Sequence, residues 1–363
     1  MSQSSHNHPG SKLDSTSFID RLSGDSFATW YEDRRFRQNI RDGQHYFNEP
    51  SKSRDPGRHT PSNLLNCHRK QFYKELNAPK ETENPDGIFW FGTAFEEQIV
   101  LPFLERIVSE VGGYVQKYDW IDYSIEADGT ELRFKGRTDP LIVDADSVPV
   151  VAIEVKTRNS VKSLDSPSRT HRAQIHAYMV GLGQKYNIRP PDGVILYGSR
   201  KTFDVRCFHV KYNETFWNEV VVKWATAQTR FRTNEILPPA DPEQKWECGY
   251  CPYSERCGKG ESSAVDSGVH GFVPEFTEYP RRSVEEYLRL FPNVALTPAL
   301  ASKYPDIASE HLVPGWCCER CGYTVKWDAI TTAGEPLCPQ CAEKNILEPL
   351  SRPRLSSTEV SNE

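Results

Sequence analysis

The run Val150-Val151-Ala152-Ile153-Glu154-Val155-Lys156-Thr157 is apolar enough to lie inside a sheet, yet it carries a carboxylate and an ammonium two residues apart. Alternate residues of a strand share a face, so Glu154 and Lys156 point one way and Ile153 and Val155 the other. Charges inside a sheet are costly unless each finds a partner. Upstream, the strand-like stretch Glu131 to Lys135 ends in Gly136-Arg137-Thr138-Asp139-Pro140, and a turn at Asp144 to Ser147 leads into the strand Val148 to Val155. That order brings Asp139 to the end of a neighbouring strand, beside Glu154 and Lys156. An isolated Glu-x-Lys reads as a surface salt bridge; apolar flanks and an upstream Asp read as a site.

Two carboxylates with a lysine are what phosphodiester hydrolysis needs. Hard oxygen ligands hold Mg²⁺ or Mn²⁺, the metal activates water, and the ammonium steadies the charge that develops.

The rest of the chain predicts an α/β protein with helices around a mixed sheet. Phe18 to Ile40 reads as a helix with a solvated arginine face, and Pro61-Ser62 opens a helix that carries Cys67 past Phe72 and Tyr73. Gly92 to Val111 repeats Phe95, Ile99, Phe103 and Ile107 every four residues, which predicts a helix with that stripe in the core. A helix over Thr170 to Leu182 and strands over Gly193 to Tyr197 and Asp204 to Val210 follow; Cys207 reads as a buried core thiol. The Ser-, Pro- and Gly-rich stretches 1–16 and Asn48 to Thr60 read as flexible.

The Asp139, Glu154 and Lys156 pattern resembles the PD-(D/E)xK nuclease superfamily, which implies a restriction-endonuclease-like core. Downstream, Gln174-Ile175-His176-Ala177-Tyr178 resembles the Gln-x3-Tyr motif of the RecB-like branch, where i and i+4 share a helix face and position the substrate. In that branch a His or acidic residue after a Gly completes the metal site. Gly92-Thr93-Ala94-Phe95-Glu96 puts Glu96 there, a departure from the His form, with Glu97 the alternative. The resemblance thus implies a metal held by Glu96, Asp139, Glu154 and the Val155 carbonyl, with Lys156, Gln174 and Tyr178 completing the catalytic set. Arg69, Arg137 and Arg172 are candidate phosphate contacts.

Ten cysteines, mostly in Cys-x2-Cys pairs, suit metal ligands in a reducing compartment better than disulfides. Cys248-x2-Cys251-x5-Cys257 with the distant Cys67 is similar to the RecB-like iron-sulfur nucleases, among them the CRISPR-associated Cas-four nucleases and the AddB subunit; this implies a [4Fe-4S] cluster, with zinc the alternative. Such a group would clip the two ends of the nuclease domain together. Cys318-x2-Cys321 and Cys338-x2-Cys341, sixteen residues apart, read as a zinc ribbon holding Zn²⁺, with Cys318 preferred over Cys317 as ligand.

These readings divide the chain into a flexible region with one helix (1–60), a nuclease domain with an iron-sulfur site (61–260), a linker (261–310), a zinc ribbon (311–347) and a disordered tail (348–363). They imply a metal-dependent DNA exonuclease on single-stranded or frayed ends, in repair or CRISPR adaptation, with a helicase or integrase as partner because no phosphate-binding loop is present. A cluster-bearing DNA-binding adaptor and a redox sensor are the competing readings. The net charge of -6 leaves room for a local cationic groove. No apolar run is long enough to span a bilayer and the start is polar, so a soluble cytoplasmic protein is expected.

Overall fold

The computed structural model describes residues 24–41, 57–82, 86–260, 271–273, 276–330 and 336–350. The stretch 1–16, most of Asn48 to Thr60, the segment 261–270 and the tail from residue 351 lie outside them. One unit, Met1–Lys52, contains helix α1 (Gly24–Arg41), whose Phe27 and Trp30 are exposed. The other, Ser53–Glu363, contains everything that follows.

Its first described residues are ordered by pairing: His59 N donates to Arg133 O at 2.7 Å and His59 O accepts from Lys135 N at 3.0 Å. The helix expected from Pro61 is broken. Pro61–Asn63 makes one 3-10 turn, Leu65 takes a positive φ of 59°, and helix α2 (His68–Glu75) begins with Cys67 as its N-cap. Cys67 therefore stands at a helix entrance rather than on a helix face.

Helix α3 (Asp86–Phe95) continues through a π turn, Glu96–Val100, into helix α4 (Leu101–Val111). The expected core stripe is wrong after its first member. Phe95 is buried, but Ile99, Phe103 and Ile107 are 44%, 51% and 37% exposed, and Val100, Leu104 and Val108 take their places. A π turn inserts one residue into the helical count, so the inward face moves by one position. Pro102 is a sufficient cause, because it offers no N–H to the Gln98 carbonyl and its ring crowds that group in a regular helix.

Strand β1 (Tyr114–Gln116) is followed by β2 (Trp120–Ala127) and β3 (Thr130–Arg137), which pair with each other as a separate hairpin. Then come β4 (Leu141–Val143) and β5 (Pro149–Arg158), helix α5 (Arg169–Tyr186), β6 (Asp192–Ser199) and β7 (Val205–Val210). The sheet order is β1-β4-β5-β6-β7, with β5 and β6 parallel and the other pairs antiparallel. The α/β expectation holds, but the neighbour of β5 is β4, not the Glu131 to Lys135 strand. Pro140 separates β3 from β4, since it cannot donate to a ladder. Cys207 is exposed on the edge strand β7 rather than buried.

The two sheet faces carry different cores. Ile153, Val155 and Leu196 pack with Phe95, Val100 and Leu104, while Ala152, Ile195 and Tyr197 pack with Ile175, Met179 and the β2-β3 hairpin. Gly198 permits the first contact: a Cβ there would come within 2.1 Å of the Phe95 ring. Ser168 caps α5 by accepting from His171 N, and Asn187 ends it in the left-handed region. Helix α6 (Glu214–Phe216) runs through a second π turn, Trp217–Val222, into α7 (Lys223–Thr233), which packs on α2.

The linker expected over 261–310 is a folded element where it is described. Helices α8 (Arg281–Leu290), α9 (Pro298–Lys303) and α10 (Pro305–Ala308) enclose Phe272, Tyr279, Val284, Tyr287, Leu296 and Leu300. Its apolar residues are spread over loops and three helices, which the polar spacing between them disguises as a linker. Beyond it, β8 (Trp316–Cys317) pairs with β9 (Thr324–Val325), and α11 (Pro339–Ala342) follows. This last module reaches Leu350, which is buried and donates its N–H to Pro336 O at 2.7 Å, so 348–350 belong to it and not to a tail. No helix among the described residues is long and apolar enough to cross a membrane.

Candidate active site and cysteine centres

Strand β5 presents Glu154 and Lys156 toward α5, in register with Ile195 and Tyr197 of β6. Glu154 is wholly buried, which removes the surface-salt-bridge reading. Lys156 forms an ion pair with Glu154 Oε1, yet neither Glu154 oxygen has a partner in hydrogen-bond geometry. Burial and the nearby Asp139 push the Glu154 carboxyl up to about 8, with Lys156 and Tyr178 opposing the rise. Burial works against the Lys156 ammonium, but Glu154 and Asp139 outweigh it and raise its pKa.

Asp139 arrives from the link between β3 and β4. Its Oδ2 accepts from Val155 N at 2.9 Å, a bond that fixes the carboxylate against the middle of β5. Burial raises its pKa too, against Lys156, the Val155 N–H and Arg137. The Val155 side chain belongs to the opposite core, so only its backbone reaches this face.

Glu96 and Glu97 part company in the π turn. Burial, then Asp139, push Glu96 up to about 7, which places it within the field of the buried carboxylates. Glu97 pairs with Lys117 at 2.7 Å. On α5, Gln174 Nε2 donates to the Tyr178 hydroxyl at 2.7 Å, and both side chains are buried. Tyr178 then faces Glu154 and not an open strand channel. Arg137 lies exposed with its guanidinium 4.8 Å over the Tyr118 ring, and Arg172 lies 4.4 Å over Phe216. Arg69 is committed elsewhere: Nε donates to Pro238 O at 2.8 Å and Nη1 stands 3.9 Å from Cys257 Sγ.

The donor set suits a hard divalent cation. Carboxylates at Asp139, Glu154 and Glu96 repel one another, and the two Glu154 oxygens are buried without hydrogen bonds.

The two cysteine groups differ in scale. Cys318, Cys321, Cys338 and Cys341 have all four sulfurs within 4.8 Å of one another, with Sγ–Sγ separations of 3.8 Å and 3.5 Å. Tetrahedral thiolates at a zinc bond length of about 2.3 Å stand roughly 3.8 Å apart. That is a single-ion spacing, and Cys318 rather than Cys317 takes part in it. Cys67, Cys248, Cys251 and Cys257 instead line a small cavity of about 20 Å³ that opens to solvent. Among the described residues they do not form a group at single-ion spacing. Burial pushes the Cys251 thiol up to about 11, against the Tyr253 N–H and Lys70, while Cys257 and Cys67 add to the rise.

A buried polar network supports the cavity. Gln71 and Gln228 both donate to Glu75, at 3.0 Å and 2.9 Å, and Gln228 Oε1 bonds His68 Nδ1 at 2.9 Å next to Cys67. Glu81 accepts from Glu255 N and Arg256 N at 2.8 Å and 2.7 Å, fastening the residues before Cys257 to the segment after α2. Buried Arg256 reaches on to Gly271 O at 2.6 Å, the start of the helical module.

Sequence reasoning missed Arg158, His171 and Tyr197. His171 Nδ1 bonds the Tyr197 hydroxyl at 2.8 Å, and burial, then Lys156 and Arg158, push its imidazole down to about 3. Strand alternation from Glu154 through Lys156 to Arg158 was the available signal.

No curated protein matches the chain. Among solved structures it is similar to SSO0001 (19% identity, 62% of this chain and 95% of that one, TM-score 0.39). It is also similar to an alkaline exonuclease from Laribacter hongkongensis (16%, 50% and 91%, 0.36) and a putative exonuclease from Eubacterium rectale (13%, 61% and 97%, 0.35). The family model of the PD-(D/E)XK nuclease superfamily matches residues 44–258, a span holding Glu96, Asp139, Glu154, Lys156 and the four cavity cysteines, and the chain belongs to that superfamily.

Proposed function

We propose that the chain is a Mg²⁺- or Mn²⁺-dependent deoxyribonuclease that trims single-stranded or frayed DNA ends. The observation that carries this reading is the Glu154 carboxylate: wholly buried, short of hydrogen bonds, and facing both Asp139 and Lys156. Asp139, Glu154, Glu96 and the Val155 carbonyl would hold the cation, which when bound supplies Lewis acidity and lowers the pKa of attacking water. Asp139 is oriented by the Val155 N–H. Tyr178, whose hydroxyl accepts from Gln174, keeps its own O–H to donate toward Glu154 and would orient it. Lys156, paired with Glu154 beside Asp139, would supply an ammonium where phosphate charge develops. Arg137, exposed beside the site, is a phosphate contact in this reading; Arg172 is a second.

The cysteine cavity supports a [4Fe-4S] cluster rather than zinc, because four thiolates spread around a cavity suit a polynuclear group. The 3.8 Å and 3.5 Å sulfur spacings of the C-terminal group support structural zinc. The resemblance of the ordered motifs to RecB-like iron-sulfur nucleases supports a place in DNA repair or CRISPR adaptation, with unwinding left to a partner helicase.

The test is anaerobic purification followed by incubation of end-labelled single-stranded and duplex DNA with Mn²⁺ or Mg²⁺, beside Lys156→Ala, with iron and zinc counted per chain. Metal-dependent loss of label by wild type alone is expected. A chain with its metals in place that cleaves neither substrate is an adaptor, not a nuclease.

A further inference from the structure

Next to the catalytic strand, an open groove of about 540 Å³ is lined by Lys70, Arg158, His171, Trp246 and Tyr250. Trp246 is 65% exposed and Tyr250 82%, with ring centroids 6.4 Å apart and planes at 72°. Two large aromatics exposed side by side form an apolar surface that a ligand can cover. Both stand on the 3-10 turn Lys245–Tyr250, which contains Cys248 and is closed by Cys251. Lys70, two residues beyond the α2 N-terminus, lines both this groove and the cysteine cavity.

The opposite wall comes from the active site. Arg158 follows Glu154 and Lys156 on one strand face, about 13 Å from Glu154 at ~3.3 Å per residue. Its guanidinium lies 5.3 Å from the Tyr197 ring, and it acts with Lys156 on His171. Glu243 and Glu247 also line the groove, but Glu247 Oε1 is turned back to accept from Gln244 N at 3.0 Å.

The geometry points to a stacking platform for unpaired bases: Trp246 and Tyr250 take successive bases of a single DNA strand, while Arg158 and Lys70 take its phosphates and lead it to Lys156. Aromatic faces with flanking cations are what a single strand uses, since stacking needs a free base face that a duplex withholds. The exposed aromatic pair and continuity with the catalytic strand through Arg158 select the occupant, with Glu243 and Glu247 offsetting the two cations. This inference rests on the nuclease reading and names its substrate form. It also gives the cysteine-bearing turn a duty in holding DNA.

The test is equilibrium binding of a labelled oligothymidylate to the full chain bearing Glu154→Gln, which keeps the strand intact, together with quenching of tryptophan fluorescence. Trp246→Ala and Tyr250→Ala are each expected to weaken binding about tenfold, Trp246→Phe to keep most of it, and a blunt duplex to show little dependence on either. Wild-type affinity in both alanine variants, with iron and zinc content unchanged, overturns the platform, as does failure of the parent to bind single strands. Tighter binding of oligouridylate with the same dependence makes the occupant RNA and overturns the DNA assignment. Aromatic-dependent binding beside a wild-type chain, metals in place, that cleaves nothing in Mn²⁺ leaves the platform standing and removes the nuclease reading instead.

Discussion

Asp139 Oδ2 accepts the backbone N–H of Val155 at 2.9 Å, so the link between β3 and β4 is tied to the middle of β5. The bond spends one oxygen on the fold and leaves the other for a cation. Asp139→Asn retains an acceptor of the same shape but removes the charge. Cleavage in Mn²⁺ should fall at least about 100-fold while the melting temperature changes by only a few degrees. An equal loss of folding would make the residue structural.

Tyr178→Phe removes a single oxygen that stands between Gln174 and Glu154. The ring is buried and stays, so the core should hold. A positioning role predicts a fall in kcat of about 10- to 100-fold with little change in KM. A rise in KM alone would put the hydroxyl on the substrate.

The acid groups carry a pH dependence of definite sign. Burial lifts Glu154 to about 8 and Glu96 to about 7, so each holds a proton near neutrality that a cation must displace. Affinity for Mg²⁺ should therefore rise with pH through about 7 to 8 and then level off. Stability of the metal-free protein runs the other way. A raised carboxyl binds more protons folded than unfolded, so stability is greatest below the unfolded value of 4.5 and declines toward about 8. Melting in EDTA at pH 6 and pH 8.5 checks this: the drop should shrink in Glu154→Gln. A pH-independent metal affinity would mean that neither carboxyl holds a proton the cation must displace.

The placement of Glu154 and Lys156 was legible because strand alternation is rigid: the two had to share a face of an apolar strand. The cysteine pairs were legible from spacing alone. What failed did so for local reasons. Pairing of β3 with β2 was hidden because the hairpin strands alternate polar and apolar like any sheet member. The module around Tyr279 and Tyr287 was hidden because much of its core, Phe272, Phe276, Tyr279 and Leu296 included, sits in loops without periodicity, although the stripe Val284, Tyr287 and Leu288 of Arg281–Leu290 was there to be read. Arg69 looked like a free cation until Pro238 and Cys257, distant in sequence, came to meet it. The α3-α4 stripe was misread although its cause, Pro102, stood in plain view inside the repeat.

That π turn also shapes the site. It begins at Glu96, near Asp139, and its next residue Glu97 points away to pair with Lys117. Deleting Ile99 brings Val100, Leu104 and Val108 back to a regular four-residue spacing from Phe95, and the core contacts survive. Pro102 would then disrupt the regular helix at a cost of ~3 kcal/mol, so the deletion is paired with Pro102→Ala. The double variant should melt within a few degrees of wild type, because the buried face is unchanged and the helix is unbroken. Its affinity for Mn²⁺ should fall about tenfold or more, because the widened turn no longer carries Glu96 toward Asp139. Titration of Mn²⁺ into both proteins reads this directly. Wild-type affinity in the double variant would mean that the turn serves only to accommodate the proline, and that Glu96 reaches the site from a regular helix just as well.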